Sequence, residues 1–544
     1  MKIRKNIIII VLVAISICCL FAFKNKIIPI YVFRHNITAN EVKRLSTDEL
    51  INLGLTPYTK YKSIAYFTVD QNFSYLTNLS VKNKIEIEKF ITELNLGYWT
   101  IRYYKPLNDE EFWFNYSMNG QMIGFQYKKY NKINKGSLYR NGQHMYFSEF
   151  LSLVPDFNKF KKINEYDIDE SGRRYHIINL SLSNFDRNLG EYKLEIKTIN
   201  NEIVSYRRYL EMPEESKRDL DGKLSMGTAI NALSMISIAI AFLGSIFILI
   251  NNVSNINLKK IVSTSSIIGF IIISLLIISP MNNLKQLLIV YNTNMSFMGY
   301  IITVLSSSTT FVLLIGAIIF IIIIGGTLIQ NRVIPEKKDF YYFFTEQFIK
   351  KDYIKYLYYG YAFAIIWLGY VSVFYYLGKK YAGVWALMDI QSTYISTYVP
   401  FLEIFTSSLL AAITEEFVFR MFAINIFLKL FKYRWIAVVA SALIWACTHS
   451  TYAIFPYYIR ILEIIPLGIF LGIIYLKKDI FLCVLIHLII DMFMFSVTLP
   501  TNNFFGVWNI ILLHSILFTP YILYLFVRDK KKEINVIYPS IASN

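Results

Sequence analysis

The chain has 544 residues, of which 55% are hydrophobic and only 17% are charged, and its formal net charge is +17. This composition is too apolar for an ordinary soluble enzyme of the same length and predicts a membrane protein. The positive charge does not indicate a nucleic-acid-binding surface, because 17 of the 22 basic residues after position 225 lie in a few short loops between apolar runs. Such a distribution is typical of membrane topology.

The first apolar run covers residues 7–23 and follows a short basic start. Such a run is either a cleaved signal peptide or an uncleaved membrane anchor. At 1.5 Å per residue its helix would be about 25 Å long, and no small-x-small cleavage site precedes Lys24. Both observations favour the anchor, which we assign to residues 1–23.

Residues 24–225 carry 30 basic and 25 acidic side chains and no cysteine. This segment is therefore expected to face water without a disulfide framework. Alternating aromatic and β-branched residues, together with a few helical stretches, predict an α+β domain. Ser46-Thr47-Asp48-Glu49 has the pattern of a capping box and predicts the start of a helix.

Two stretches of this segment, 112–127 and 192–209, have a similar alternating pattern. The first is broken at residues 119–120 (Asn-Gly) and the second at residues 200–201 (Asn-Asn), and both dipeptides accept positive φ. Both stretches therefore predict β-hairpins. The pattern resembles PepSY-type modules, small extracytoplasmic domains often attached to proteases, although a generic repeat of hairpins explains it more simply.

Long apolar runs after residue 225 predict transmembrane helices, and with the N-terminal anchor they number about ten. The nine later runs lie near residues 227–251, 261–279, 305–329, 356–378, 398–420, 435–451, 457–476, 479–499 and 507–527. With the N-terminus in the cytoplasm, the cytoplasmic loops hold seventeen basic residues and the opposite loops only Lys285, Lys379 and Lys380. The asymmetry predicts a cell-membrane protein with both termini cytoplasmic and residues 24–225 on the other side.

Ionisable residues inside the predicted spans are candidates for function, because each costs a few kcal/mol in lipid unless a partner or a wet cavity explains it. They are Glu403, Glu415, Glu416, Arg420, His449, Arg460, Glu463, His487, Asp491 and His514. Arg460 and Glu463 are three positions apart on one helix, so an internal ion pair is expected there. An interfacial position explains Glu403, and packing explains His514.

The adjacent carboxylates Glu415 and Glu416 need a further explanation. Glu416 and Arg420 are four residues apart on one helix face, so the arginine can neutralise this glutamate. Glu415 points about 100° further round and lacks that partner. An unpaired carboxyl in a low dielectric keeps a proton more readily, which suits a general base or acid near neutral pH.

Two further helices carry polar groups at a similar depth. His449 follows Trp445 by four residues, and His487 precedes Asp491 by four, so each pair shares one helix face. Counted from the basic cytoplasmic ends, Glu415, His449 and Asp491 lie roughly 20 Å into the membrane, and His487 about 13 Å. A shared site within the bilayer is therefore predicted.

These three motifs, Glu-Glu-x-x-x-Arg at 415–420, aromatic-x-x-x-His at 445–449 and His-x-x-x-Asp at 487–491, resemble in this order those of the CPBP family. That family of intramembrane glutamic endopeptidases unites CAAX prenyl proteases of the Ras-converting type with bacterial Abi and bacteriocin-immunity proteins. The resemblance implies a protease core at about 355–527. Additional helices would then occupy 226–354.

The resemblance implies that Glu415 and His449 activate the hydrolytic water and that His487 and Asp491 stabilise the oxyanion. Two positions depart from the family pattern. Trp445 replaces the usual Phe, which we expect to be harmless. Asp491 replaces the Asn of many members, so it would have to be protonated to donate, or else orient His487.

Alternative interpretations remain open. Two histidines and a glutamate could ligate zinc, although no His-Glu-x-x-His is present and no cofactor is our first expectation. A receptor or immunity protein would use residues 24–225 to bind an extracytoplasmic peptide, and its polar cluster would only hold helices together. The absence of a helix repeat disfavours a transporter. We expect a membrane-anchored or lipidated peptide substrate and a C-terminal cytoplasmic tail at 528–544.

Overall fold

The computed structural model describes most of the chain. The described residues are 2–27, 37–52, 61–70, 72–83, 93–128, 139–140, 143–144, 154, 156–170, 172–183, 185, 189–199, 202–252, 258–337, 352–386, 396–452, 454–496, 499 and 504–526. The predicted loop residues Lys338, Lys350 and Lys351, and everything after residue 526, lie outside them.

A β-sheet domain with packed helices follows the N-terminal helix α1 (Lys2–Ile27). Its elements are α2 (Ala39–Asn52), β1 (Lys62–Val69), α3 (Phe73–Asn83), β2 (Gly97–Tyr104), β3 (Glu111–Ser117), β4 (Met122–Lys128), β5 (Tyr139–Arg140), β6 (Gln143–His144), β7 (Phe160–Glu170), β8 (Arg173–Leu182), β9 (Glu191–Ile199) and β10 (Glu202–Glu211). Eight of these strands form one sheet in the order β1-β2-β3-β4-β10-β9-β8-β7, and neighbouring strands are antiparallel. The expected α+β character is thereby confirmed.

Both predicted hairpins are present. Strands β3 and β4 pair around a turn in which Gly120 has φ +85°, the conformation that the Asn-Gly dipeptide indicated. Strands β9 and β10 pair up to Ile199 and Glu202, and the turn residues 200–201 lie outside the described residues.

The predicted capping box at residues 46–49 is wrong, because Ser46 lies inside α2 and its hydroxyl donates to the carbonyl of Lys43 at 2.9 Å. The capping box in the structure is formed by Thr38 and Glu41, before the first turn of α2 and within it. The Thr38 amide donates to the Glu41 carboxylate at 2.6 Å, and the Glu41 amide donates to the Thr38 hydroxyl at 3.3 Å. Both segments, 38–41 and 46–49, fit the capping-box pattern. Val42 is buried in the core of the sheet domain, so the helix already begins at the earlier segment.

In its described residues after 213 the chain is helical apart from one short pair of strands. Its elements are α4 (Glu214–Ile250), α5 (Leu258–Asn282), α6 (Leu284–Ile289), α7 (Phe297–Val333), α8 (Tyr353–Ala382), β11 (Trp385–Ala386), α9 (Pro400–Glu415), a π-helical turn (Glu416–Ala423), α10 (Ile424–Phe431), α11 (Arg434–Cys447), β12 (Ile454–Phe455), α12 (Tyr458–Lys477), α13 (Ile480–Ser496) and α14 (Phe504–Ser515).

Within the described part of the chain, six helices are long and apolar enough to cross a membrane. They are Asn6–Phe23, Glu214–Ile250, Phe297–Val333, Tyr353–Ala382, Tyr458–Lys477 and Val507–Phe526. Three shorter apolar helices, Ile268–Asn282, Arg434–Cys447 and Ile480–Ser496, pack among them. The expected polytopic helical architecture is present, and the predicted count of about ten spans is not confirmed.

Helix α4 joins the sheet domain to the membrane part without a break. It begins at Glu214, after Pro213, and continues for 37 residues to Ile250, a length of about 55 Å. The composition change that we placed at residue 226 therefore falls inside one helix and not in a linker.

The sheet domain also contacts the membrane part through a buried ion pair. Arg102 and Glu111, on β2 and β3, lie 2.9 Å apart with side chains 4% and 7% exposed. The same guanidinium donates to the carbonyls of Leu288, Ile289 and Tyr291 at 2.8–3.2 Å, just beyond and at the end of α6. These charge-assisted bonds fix the sheet against the α6–α7 connection.

Candidate active site

The two adjacent glutamates lie where α9 changes into the π-helical turn (Glu416–Ala423). A π-helical turn disrupts the usual hydrogen-bond ladder and often occurs at functional sites. Here the hydroxyl of Ser441, on α11, donates to the carbonyl of Phe419 at 2.5 Å. The distorted turn is thereby attached to the neighbouring helix.

Glu416 and Arg420 form the buried ion pair that their spacing predicted. Glu416 Oε1 lies 3.0 Å from Arg420 Nη1, and the two side chains are 0% and 1% exposed. The guanidinium also lies 4.0 Å from the centroid of the Trp445 ring, a cation–π contact. Glu416 Oε1 is 2.8 Å from His487 Nδ1 as well, so this carboxylate contacts both a cation and a predicted site residue.

Glu415 is more accessible, with 25% of its side chain exposed. Its Oε2 accepts a hydrogen bond of 2.6 Å from Trp445 Nε1. The same oxygen lies 3.7 Å from His449 Nε2 and 3.9 Å from His487 Nε2. These two separations are too long for direct hydrogen bonds and short enough for a water molecule to bridge.

His449 lies just beyond the end of α11, and local bonds fix its ring. Its Nδ1 is 2.9 Å from the carbonyl of Trp445 and 3.1 Å from the hydroxyl of Thr448. A carbonyl only accepts, so Nδ1 carries the hydrogen and Nε2 of the neutral ring is left as an acceptor facing Glu415. The ring of Tyr452 stacks on the imidazole at a centroid distance of 5.3 Å.

His487 is held between two carboxyl groups on α13 and the π-helical turn. Its Nδ1 faces Glu416, and its Nε2 lies 3.5 Å from Asp491 Oδ2. His487 is 5% exposed and Asp491 20%. Depth counted along the backbone placed His487 lower than the others, yet its Nε2 lies 3.9 Å from Glu415 Oε2.

All four predicted site residues, and the three supporting ones, are therefore together in one cluster. Among the other ionisable residues, Arg460 reaches the edge of the cluster, with its guanidinium 5.1 Å from the centroid of the Tyr452 ring. Arg460 pairs with Glu463 at 2.5 Å, as predicted, and Tyr375 donates to the same carboxylate. His514 contacts the Tyr361 hydroxyl at 3.1 Å. Glu403 lies in the first turn of α9, is only 4% exposed and accepts from Ser279 and Asn282 of α5, so hydrogen bonds within the protein satisfy this carboxyl.

Sequence reasoning missed two contacts in the cluster. The Trp445 indole donates to Glu415, a bond that the usual phenylalanine could not make, so the departure that we expected to be harmless adds a hydrogen bond to the site. Tyr452 was not singled out, since it lies in the loop beyond the end of α11. Its position three residues after His449 was the one available signal.

The zinc alternative requires at least three ligands around one point. In the described ranges, no group of three or more His, Cys, Asp or Glu side chains is arranged so that it could hold a metal ion.

Comparison with protein families finds a match over the segment that contains this cluster. Residues 397–493 match the family model described as type II CAAX prenyl endopeptidase, Rce1-like. This segment is an Rce1-like domain. It begins just before α9, ends two residues after Asp491 and so contains the whole cluster. Comparisons with curated proteins and with solved structures gave no significant match. The apolar helices are those of a multi-pass membrane protein, and its segment 397–493 is similar to a family of proteases.

Proposed function

We propose that this protein is an intramembrane endopeptidase in which Glu415 is the general base. The observation that carries the proposal is the position of Glu415 Oε2 opposite Nε2 of both His449 and His487, whose side chains are 9% and 5% exposed. A water bridging Glu415 and His449 would lie against two proton acceptors, because local bonds leave His449 Nε2 without its hydrogen.

In the proposed reaction, Glu415 and His449 remove a proton from this water as its oxygen attacks the peptide carbonyl carbon. The carbonyl oxygen becomes an oxyanion, which His487 Nε2–H and Asp491 stabilise by donating hydrogen bonds. The carbon–nitrogen bond then breaks, and the proton taken from water is returned to the leaving amine. Glu416 positions His487 by accepting from its Nδ1.

Charge balance supports a protonated Asp491. The cluster contains three carboxyl groups, on Glu415, Glu416 and Asp491, against Arg420 and at most two protonated histidines. His449 is an acceptor in the proposed role, so a buried cluster without net charge needs one neutral carboxyl. Glu416 is ionised because it contacts both Arg420 and His487, and Glu415 must be ionised to act as the base. The neutral carboxyl is therefore assigned to Asp491.

The pH–rate profile of Asp491→Asn tests this role. A protonated Asp491 donates at low pH and loses its proton as pH rises, so wild-type kcat should fall on the alkaline side. Asparagine donates at every pH, and Asp491→Asn should therefore keep its activity where the wild type loses it. A uniform loss of activity at all pH values would instead assign Asp491 to orienting His487 as an ionised acceptor.

For the substrate we propose a membrane-associated or lipidated peptide, since the cluster lies among apolar helices. The purified protein should cleave members of a panel of such peptides in detergent, equally with and without a chelator. Loss of activity with chelator and its return with zinc would support the zinc-dependent alternative. Cleavage of these peptides by the Glu415→Gln protein at the wild-type rate would contradict the proposed mechanism.

The basic loops further support a proposal about orientation, with the sheet domain outside and the termini in the cytoplasm. In a background lacking the four native cysteines, Lys161→Cys in β7 should react with an impermeant thiol reagent on intact cells. Lys478→Cys, at the end of α12, should react only after permeabilisation. Both positions are exposed, and the reverse labelling pattern would overturn the orientation.

A further inference from the structure

The loop that carries His449 is attached to α4, a helix outside the Rce1-like domain. Ser450 donates from its hydroxyl to the carbonyl of Gly227 at 2.7 Å. Asn231 donates from its side-chain amide to the carbonyl of Thr448. The residues on both sides of His449 are thus bonded to α4, more than 210 residues earlier in the chain.

Gly227 and Asn231 are four residues apart, so they lie on one face of α4. The fit of that face to the loop is close. A Cβ atom on Gly227 would lie 2.4 Å from the carbonyl oxygen of Ser450 and 3.6 Å from Cβ of Tyr457. Any other residue at position 227 would therefore move the loop away from the helix, and the atom in the way belongs to backbone that cannot rotate aside.

The sheet domain holds α4 one turn before this contact. On α3, Asn78 donates to Asp219 at 2.9 Å and accepts from Lys223 at 3.1 Å, while Tyr75 donates to Asp221 at 3.1 Å. Four residues, or about 6 Å of helix, separate Lys223 from Gly227. The segment of α4 that touches the His449 loop is thus fixed from its N-terminal side.

We propose that Gly227 and Asn231 are positioning residues that set the place of His449 relative to Glu415. They do not touch the reacting atoms. They act through Thr448 and Ser450, and the inference rests on the proposed role of His449 in activating water. A displacement of the loop should weaken the reaction step more than substrate binding, because a reacting group moved by about 1 Å can lower the rate by on the order of 10²-fold.

The test compares Gly227→Ala with Gly222→Ala. Both substitutions add one methyl group to α4, but a Cβ at Gly222 meets no atom within 4 Å. Both remove a helical glycine, which favours the helix to a similar degree in the two variants. We expect Gly222→Ala to keep the wild-type kcat and KM. We expect Gly227→Ala to lose kcat by on the order of 10²-fold with KM nearly unchanged.

Two further measurements separate positioning from a general loss of structure. Hydrogen–deuterium exchange should rise at residues 446–452 in Gly227→Ala and not in Gly222→Ala. Asn231→Leu, which removes the donor and keeps a side chain of similar size, should lower kcat and raise exchange in the same segment. If Gly227→Ala and Asn231→Leu match Gly222→Ala in kcat and exchange, α4 does not position His449. Full activity of Glu415→Gln in the same assay would instead refute the proposed function itself.

Discussion

Glu415→Gln should abolish peptide cleavage while leaving the thermal stability of the protein close to that of the wild type. General-base catalysis contributes about 10²–10⁴-fold to a rate, and glutamine cannot take the proton from water. Stability is retained because the glutamine side-chain oxygen can still accept the 2.6 Å hydrogen bond from Trp445. The measurements are kcat on a cleaved peptide and the melting temperature in the same detergent.

Trp445→Phe provides the matched control for this prediction. It removes the donor to Glu415 but keeps the base and the apolar ring, so cleavage should continue at a reduced rate. A Glu415→Gln protein that melts far below the wild type would show that Glu415 is structural. Loss of activity would then report unfolding and not the loss of a base.

Arg420→Ala should destabilise the protein more than any other single substitution considered for this site. Arg420 is 1% exposed and pairs with Glu416, which is fully buried. Removing one partner of a buried pair leaves an uncompensated charge, at a cost of roughly 3–5 kcal/mol. The cation–π contact with Trp445 is lost as well. The measurement is the free energy of unfolding by denaturant in detergent.

Arg434→Ala is the control, because Arg434 is an exposed arginine at the start of α11. An exposed substitution usually changes stability by less than about 0.5 kcal/mol. Arg420→Ala and Arg434→Ala with equal stabilities would contradict a structural ion pair. Equal losses for Arg420→Ala and Glu415→Gln would refute the division between a structural and a chemical glutamate.

The features that the sequence predicted correctly depend on short-range geometry. A spacing of four gave the Glu416–Arg420 pair and a spacing of three gave Arg460–Glu463, because residues three and four apart are neighbours on a helix. The Asn-Gly turn between β3 and β4 has the same local basis. The resemblance of three ordered motifs then indicated which helices meet.

The features that the sequence did not predict depend on contacts between distant segments. Nothing in residues 227–231 indicates an attachment to the His449 loop, since that contact depends on how α4 packs in three dimensions. The pairing of β4 with β10 likewise joins residues about 80 apart. The capping box failed for a different reason: two segments fit one local pattern, and packing of α2 against the sheet selected between them.

The π-helical turn has a consequence for insertions and deletions in this chain. Such a turn fits one more residue into the helix than an α-helix would, so deleting a residue within 416–423 could restore regular α-helix. The α-helices on either side would keep their relative orientation, because the turn absorbs the extra residue locally. Asn425, buried on α10, would then keep its 2.6 Å bond to Tyr475. The side chains inside the turn, Glu416 and Arg420 among them, would change direction, so a one-residue deletion there would disturb the site and spare the helices around it.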